Sequence, residues 1–352
     1  MFIKMNGLPE LGGLRAELRA NGCFETSELR SWLKLAVLGT GLAACLVAMA
    51  HVPTLVAVLL LVPIAGVFAT SISMVGHEGS HKSFSKSPWR NQLITYLAFP
   101  AFSGLSSLYW RNKHDRLHHG HPNVEGVDPD IKPFPFVSSR GDHDRSPTGL
   151  RWFQRNLQKT AFWPMSTLMA LGMRRSSLIY LAKYPKEHGY TGAWFAEVAC
   201  LAIHYTCWMV VPSLVFGPFI GIAIYSMIWA VVGICLALVF APAHMSLPIT
   251  DGQNHDWVHQ LETTRNLELP KFVSFFFIGL DYQVEHHLFP KIPHKHLPRA
   301  AEITRAWCQR NGIKHLSEPY LSALRDSALF MATAWAQAAS SPLDVRAATI
   351  VI

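Results

Sequence analysis

Charge is scarce in this 352-residue chain, and scarcest where a water-soluble domain would need it. Asp, Glu, Lys and Arg make up 15% of the residues, and none occurs from Leu35 to His77 or from Val198 to Thr250. Gaps of that length exclude an ordinary soluble domain, because about 20 apolar helical residues already span a hydrocarbon core of about 30 Å. Cysteine pairs are missing too. Cys23, Cys45, Cys200, Cys207, Cys235 and Cys308 form no C-x-x-C motif and four lie in apolar stretches, which argues for buried thiols rather than a disulfide frame or zinc knuckle. The first 34 residues are too charged for a cleavable signal, so Leu33 onward reads as an uncleaved span. There is no low-complexity segment and no interdomain linker.

What is present fits a membrane. Four apolar windows, Leu33 to Ala50, Thr54 to Val75, Ala193 to Phe216 and Phe219 to Ala243, fall inside the two charge-free gaps as two helical hairpins. Their turns would be His51-Val52-Pro53 and Gly217-Pro218. If both hairpins begin and end in the cytoplasm, all 31 Lys and Arg residues lie on that side, as the positive-inside tendency requires. The net charge of +8 then reflects topology, anionic lipid and an acidic electron-carrier protein, with no nucleic-acid partner. The expected fold is an all-α integral membrane protein, four transmembrane helices in two hairpins with a cytoplasmic helical cap holding a two-metal site. It forms one domain: an amphipathic lead-in on the membrane surface (1–32), the first hairpin (33–75), a cytoplasmic and interfacial region (76–192), the second hairpin (193–243) and a second cytoplasmic region (244–352). Thr26 or Ser27 would cap the first span. Leu93 to Tyr109, broken by Pro100 and Gly104, is expected as a kinked interfacial or re-entrant helix, and Leu150 to Leu181 as an amphipathic stretch along the interface.

Histidine carries the chemistry. Lys113 to Asn123 reads KHDRLHHGHPN, and on an α-helix His114 and His118 share a face while His119 is turned from them by about 100°. His77 and His81 repeat the four-residue spacing at the end of the first hairpin. His244 closes the second hairpin, and His286 and His287 follow Gln283. Neutral imidazole suits iron, zinc, copper or nickel, so eight such rings supply about four nitrogens to each of two metals without naming the metal.

The three groups His77-Glu78-x-x-His81, His114-x-x-x-His118-His119 and Gln283-x-x-His286-His287 resemble the histidine boxes of the membrane fatty acid desaturases. Pro122-Asn123, Asp128-Pro129-Asp130, Gln260-x-x-Thr263-Thr264-x-Asn266 and HHLFP extend the resemblance over about residues 60 to 310. It implies an oxygen-dependent enzyme that inserts a cis double bond into a long acyl chain carried on CoA, carrier protein or lipid. Its cofactor would be two Fe ions (Fe2+/Fe3+), with O2 as co-substrate, and no catalytic residue is expected apart from the metal ligands. The resemblance also implies that His244 is a further ligand and that electrons come from ferredoxin or from cytochrome b5 with its reductase, since the HPGG haem motif of fused forms is absent. It fits a multi-pass protein of a bacterial inner membrane with its site on the cytoplasmic side. Many desaturases carry His at the position of Gln283; glutamine recurs in the front-end group and some acyl-lipid enzymes, and a neutral amide is a poorer ligand. Glu78, Asp115, Asn266 and Glu285 are candidates to brace ligand rings from outside.

Other readings compete with this one. A hydroxylase of the same di-iron class would use the same residues. H-E-x-x-H is also the zinc metalloprotease motif, with Glu78 as general base, but that leaves six histidines idle. A metal transporter would place its ligands near the bilayer midplane, where the apolar spans hold no cluster. His255 and His259 read as an ordinary polar face, His121, His294 and His296 as rim residues, and His51 and His204 as structural.

Overall fold

The computed structural model describes residues 10–52, 54–251 and 256–340. The chain enters through α1 (Leu11–Ala20) and forms a long hairpin from α2 (Glu28–His51) and α3 (Leu55–Ser80). The short α4 (Pro88–Tyr96) runs into a π-helical stretch, Leu97–Ser103, then α5 (Ser107–Trp110) and a second π-helical stretch, Arg111–His118. Three short helices, α6 (Arg140–Asp144), α7 (Thr148–Asn156) and α8 (Gln158–Met165), lead to α9 (Met169–His188). The second hairpin is α10 (Gly192–Tyr205), continued through a π-helical turn, Thr206–Val210, into α11 (Val211–Phe216), and then α12 (Pro218–His244). After it come α13 (Trp257–Glu262), β1 (Asn266–Glu268), α14 (Lys271–Phe277), α15 (Gln283–Leu288), α16 (Leu297–Arg310), β2 (Ser317–Pro319) and α17 (Tyr320–Thr333).

Four helical units are long and apolar enough to cross a membrane: α2, α3, Gly192–Phe216 and α12, with mean hydropathies of 2.0, 2.5, 1.7 and 2.5. They meet through small residues. A Cβ on Gly66 of α3 would come within 2.4 Å of Val231 on α12, so this crossing tolerates only glycine. Around it Ala65, Ala69 and Ile72 pack with Ile228, Trp229 and Val232 as the core between the hairpins. Outward-facing residues are large and apolar, with Leu214 82% and Phe219 90% exposed. Such a surface is costly in water and neutral against lipid tails.

Leu93 to Tyr109 is not one continuous α-helix: the winding changes from α to π after Tyr96, the π-helical stretch carries Pro100, and it ends at Gly104, whose φ is 66°. Several expectations need correction. The lead-in does not turn its apolar face to the membrane: Leu14 and Leu18 of α1 are fully buried among Ile303, Trp307 and Cys308 of α16. Ser27 stands at the N-cap of α2 but its side chain makes no capping bond. Leu150 to Leu181 is built from α7, α8 and the first part of α9, with a tighter turn, Ser166–Leu168, between α8 and α9. Only Cys23, Cys45 and Cys308 are buried, and Cys207 lies exposed on an apolar helix. The fold class itself is as expected, mostly helical; one three-residue parallel pair, β1 with β2, ties the region before the third histidine box to α17.

Candidate metal centre

Histidines from four separate elements meet where the two hairpins end. His77 sits in the last turn of α3, His81 caps it, His114, His118 and His119 belong to the second π-helical stretch and its end, His244 is the last residue of α12, and His286 and His287 belong to α15. All eight are buried. They fall into two main groups whose candidate ligand atoms lie within 4.8 Å of one another, His77, His81, His114, His119 and His286, and His118, His244 and His287; a third set, His114 and His118 with Asp130, overlaps both.

The division differs from what α-helical spacing predicts. Arg111–His118 is wound as a π-helix, in which residue i bonds to i+5, so the His119 N–H donates to the His114 carbonyl at 2.9 Å. His114 therefore joins His119, their Nε2 atoms 3.1 Å apart, while His118 turns to the other group. The wider turn lets one short segment serve both groups. Within the five-ring group the Nε2 atoms of His77 and His114 are 2.8 Å apart, and those of His81 and His77 3.2 Å.

In the three-ring group each ring is held from behind by an oxygen. His118 Nδ1 donates to the Asp128 carboxylate at 3.1 Å, His244 Nδ1 to the Thr263 carbonyl at 3.1 Å, and His287 Nδ1 to Gln260 Oε1 at 3.0 Å. A proton fixed on Nδ1 leaves Nε2 as a bare lone pair. Nε2 of His244, His287 and His286 is buried with no hydrogen-bond partner. Orphaned nitrogens of this kind are costly unless something electron-deficient sits between them, so the residues fit metal ions. Their charge state agrees. Burial, reinforced by neighbouring rings, holds His114, His119, His286 and His287 well below the usual imidazole range and His81 at about 3, so they are neutral donors. His118 is the exception: burial pushes it down, but the charge and hydrogen bond of Asp128 outweigh that and raise it.

The remaining candidates fall in different places. Gln283 is buried, donates to the Leu280 carbonyl at 2.8 Å and lies beside His244. Asp115 accepts from the Ser80 hydroxyl at 2.7 Å and comes within 3.8 Å of His81; burial raises its carboxyl to about 6. Glu78 accepts from the backbone and ring of His294, so this expected rim residue is a partner, and Glu78 is engaged there rather than free to act as a protease base. Asn266 and Glu285 bond to each other at 2.7 Å, with His315 on Glu285, and brace α15 without a hydrogen bond to any ring of the two groups. Asp128, Gln260 and Thr263 belong to the motifs that carry the resemblance, but their role behind the rings was missed. Asp128 lies ten residues past His118 in a turn, and nothing local marks its target. His259 is no mere polar face: buried, it bonds the Pro122 carbonyl at 2.7 Å, while His255 lies outside the described residues.

A cavity of about 940 Å³ opens beside both groups, with His114, His118 and His244 in its wall. The rest is mostly apolar, including Phe162, Met169, Leu236 and Phe240, with Lys113 paired to Asp130 at one side. Trp110 also lines it and stacks on His114 with ring centroids 4.3 Å apart. The sequence model of the fatty acid desaturase family matches residues 53–319, which includes every residue of both groups. The chain belongs to that family. This desaturase-family protein is 27% identical over 267 residues to Fatty acid desaturase 2-like protein FADS2B of Mus musculus, covering 72% of this chain and 51% of that one. It is 25% identical to Delta(5) fatty acid desaturase fat-4 of Caenorhabditis elegans, over 73% and 59% of the two chains. With Delta(8)-fatty-acid desaturase of Euglena gracilis the identity is 27% over 86% and 73%. The chain spans only about half to three fifths of the length of the first curated relatives.

Proposed function

We propose that this protein is a membrane fatty acyl desaturase, holding two irons on its eight histidines and a long acyl chain in the adjoining cavity. The observation that carries the reading is one mostly apolar cavity of about 940 Å³ whose wall holds His114 from one set of buried imidazoles and His118 and His244 from the other. One site would be held by His77, His81, His114, His119 and His286, the other by His118, His244 and His287, with Gln283 beside His244. Such an iron pair supplies the oxidising power that removes two hydrogens from adjacent methylenes, while O2, two protons and two electrons from a carrier protein become two waters.

The chain's own residues supply order. Asp128, Gln260 and the Thr263 carbonyl fix the orientation and tautomer of three rings. Trp110 presses on His114 from the cavity side, so the wall that meets the acyl chain also holds a ring still. Apolar walls exclude water and hold one methylene pair near the rings, which chooses position without a polar handle. Both hairpins end at the histidines. With the 31 Lys and Arg residues outside the charge-free gaps, that supports a multi-pass topology with the site on the cytoplasmic side and the chain as one functional unit. The names of the Delta(5) and Delta(8) relatives support a new double bond near the carboxyl end.

The test is to give purified, iron-analysed protein reduced carrier and polyunsaturated acyl lipid without O2, then admit O2 and localise any new double bond. Unsaturated product should appear only after O2. Product formed without it, or zinc alone in active material, overturns the proposal, and a hydroxylated product would assign the same centre to hydroxylation.

A further inference from the structure

A second, much smaller cavity of about 30 Å³ lies against the first, and Trp110, Met173 and Leu236 line both. Beyond that partition the surroundings change character. Arg174 of α9 lines the small cavity and is only 5% exposed, yet among the described residues no carboxylate lies within ion-pair distance of it. Its Nε donates to the Ser103 carbonyl at 2.7 Å and its Nη1 to the Tyr225 hydroxyl at 2.8 Å, and the guanidinium lies 3.7 Å from the centre of the Trp229 ring. Tyr225 in turn meets His204 Nε2 at 3.0 Å, and His204 Nδ1 donates to the Phe102 carbonyl at 2.7 Å. Gly104 is part of this knot, because a Cβ there would come within 2.6 Å of His204. Among the described residues Arg174 Nη2 has no hydrogen-bond partner. A buried cation without a counter-charge is expensive to keep, and the histidine centre makes no use of it.

We propose that this knot is the far stop of the acyl cavity, with Arg174 as its fixed part and Met173 and Leu236 as the side chains that set where the acyl tail must end. The inference rests on the reading that the large cavity holds the acyl chain. On this proposal a tail that runs from the histidines past Trp110 meets Met173 and Leu236, the two other residues that line both cavities. Past them is room for little more than one water, beside a guanidinium group. A methylene pushed there would take the place of any polar neighbour of Nη2, which is unfavourable, so the tail stops at the partition. Met173 is the adjustable element because an unbranched thioether fills an irregular gap and leaves it without disturbing the backbone. The acceptable substrates are therefore bounded in the number of carbons beyond the reacting pair.

The experiment uses the full chain in lipid nanodiscs with acyl chains that are identical from the head group to the reacting carbons and grow by one methylene at the tail. Melting-temperature shift against chain length is read alongside product ratios in cells fed equal mixtures. Met173→Ala and Leu236→Ala should each move the best length up by about one or two methylenes, changing the long-to-short ratio about fourfold per methylene. Met173→Phe should move it down, and adding Arg174→Met to Met173→Ala should lengthen it further. Acyl chains that stabilise every variant with the same optimum length overturn the stop, as does an Arg174→Met effect confined to a lower melting temperature. If chains of no length stabilise the folded wild type, the acyl reading of the cavity itself falls.

Discussion

The two histidine groups reach the same depth of burial by different means. The five-ring group is held together ring against ring: His77, His81 and His114 approach through their Nε2 atoms, His119 and His286 stack edgewise on them, and His119 Nδ1 has no partner. The three-ring group has fewer rings, but each is pinned by an oxygen behind it, and one of those oxygens is a carboxylate. Number of donors substitutes for rigidity in one group and rigidity for number in the other. The three-ring group should therefore fail first when a single residue is lost.

The sharpest way to break that contrast is to remove one ring from each side. His244→Ala leaves two imidazoles where three stood, and should lose about one metal equivalent and reduce activity by more than about 100-fold, beyond the range usual for an outer partner. His81→Ala leaves four rings and should keep its metal better, with a smaller fall in rate. Elemental analysis beside turnover decides it, and equal metal loss in both variants would make the two groups equivalent. Next in size is Asp128→Asn, which keeps the shape but loses the charge behind His118, along with part of the acceptor set for the Asn123 and Asp130 N–H groups. About 10- to 100-fold in metal affinity or activity is expected, read by competition with a chelator. Gln260→Leu should cost near the low end of that range. Its signature differs, because Gln260 also donates to the His119 carbonyl at 2.9 Å and so loosens both groups together.

Much of this was legible in the chain itself, and the reason is physical. Long charge gaps mark the candidate spans through solvation alone, and His77, His81 and His244 stand near the ends of those gaps, whereas the other five are tied to them only by the motif pattern. What was hidden is non-local or depends on winding. The α-helical period pairs His114 with His118, and the π-helical turn brings His119 to His114 as well; no residue between them announces the wider winding. Gln260 meets its two targets across 27 and 141 residues of chain, a relation that spacing cannot express. The face of α1 was misjudged for a related reason. Leucines at helical spacing are suited equally to lipid and to another helix, and only the presence of α16 decides between them.

The smallest effect, and the one that sharpens the contrast from the other side, concerns Gln283. It stands beside His244, at the edge of the group that has only three rings, and its amide is committed to the Leu280 carbonyl. An amide oxygen is a weaker donor than imidazole, so Gln283→His should add a fourth nitrogen to the poorer group if the new ring can turn inward. Two costs oppose it: the Leu280 carbonyl loses its donor, worth about 1 kcal/mol, and a ring must fit where Gln283 is 1% exposed. The expected result is a modest gain, less than about tenfold in metal retention against a chelator, with turnover unchanged or slightly lower. The same change should leave the metal of the five-ring group untouched, because that group already has its donors. A variant that loses metal from both groups at once would mean that α15 is packed too tightly for the exchange, and that the three-ring group is limited by space rather than by its count of imidazoles.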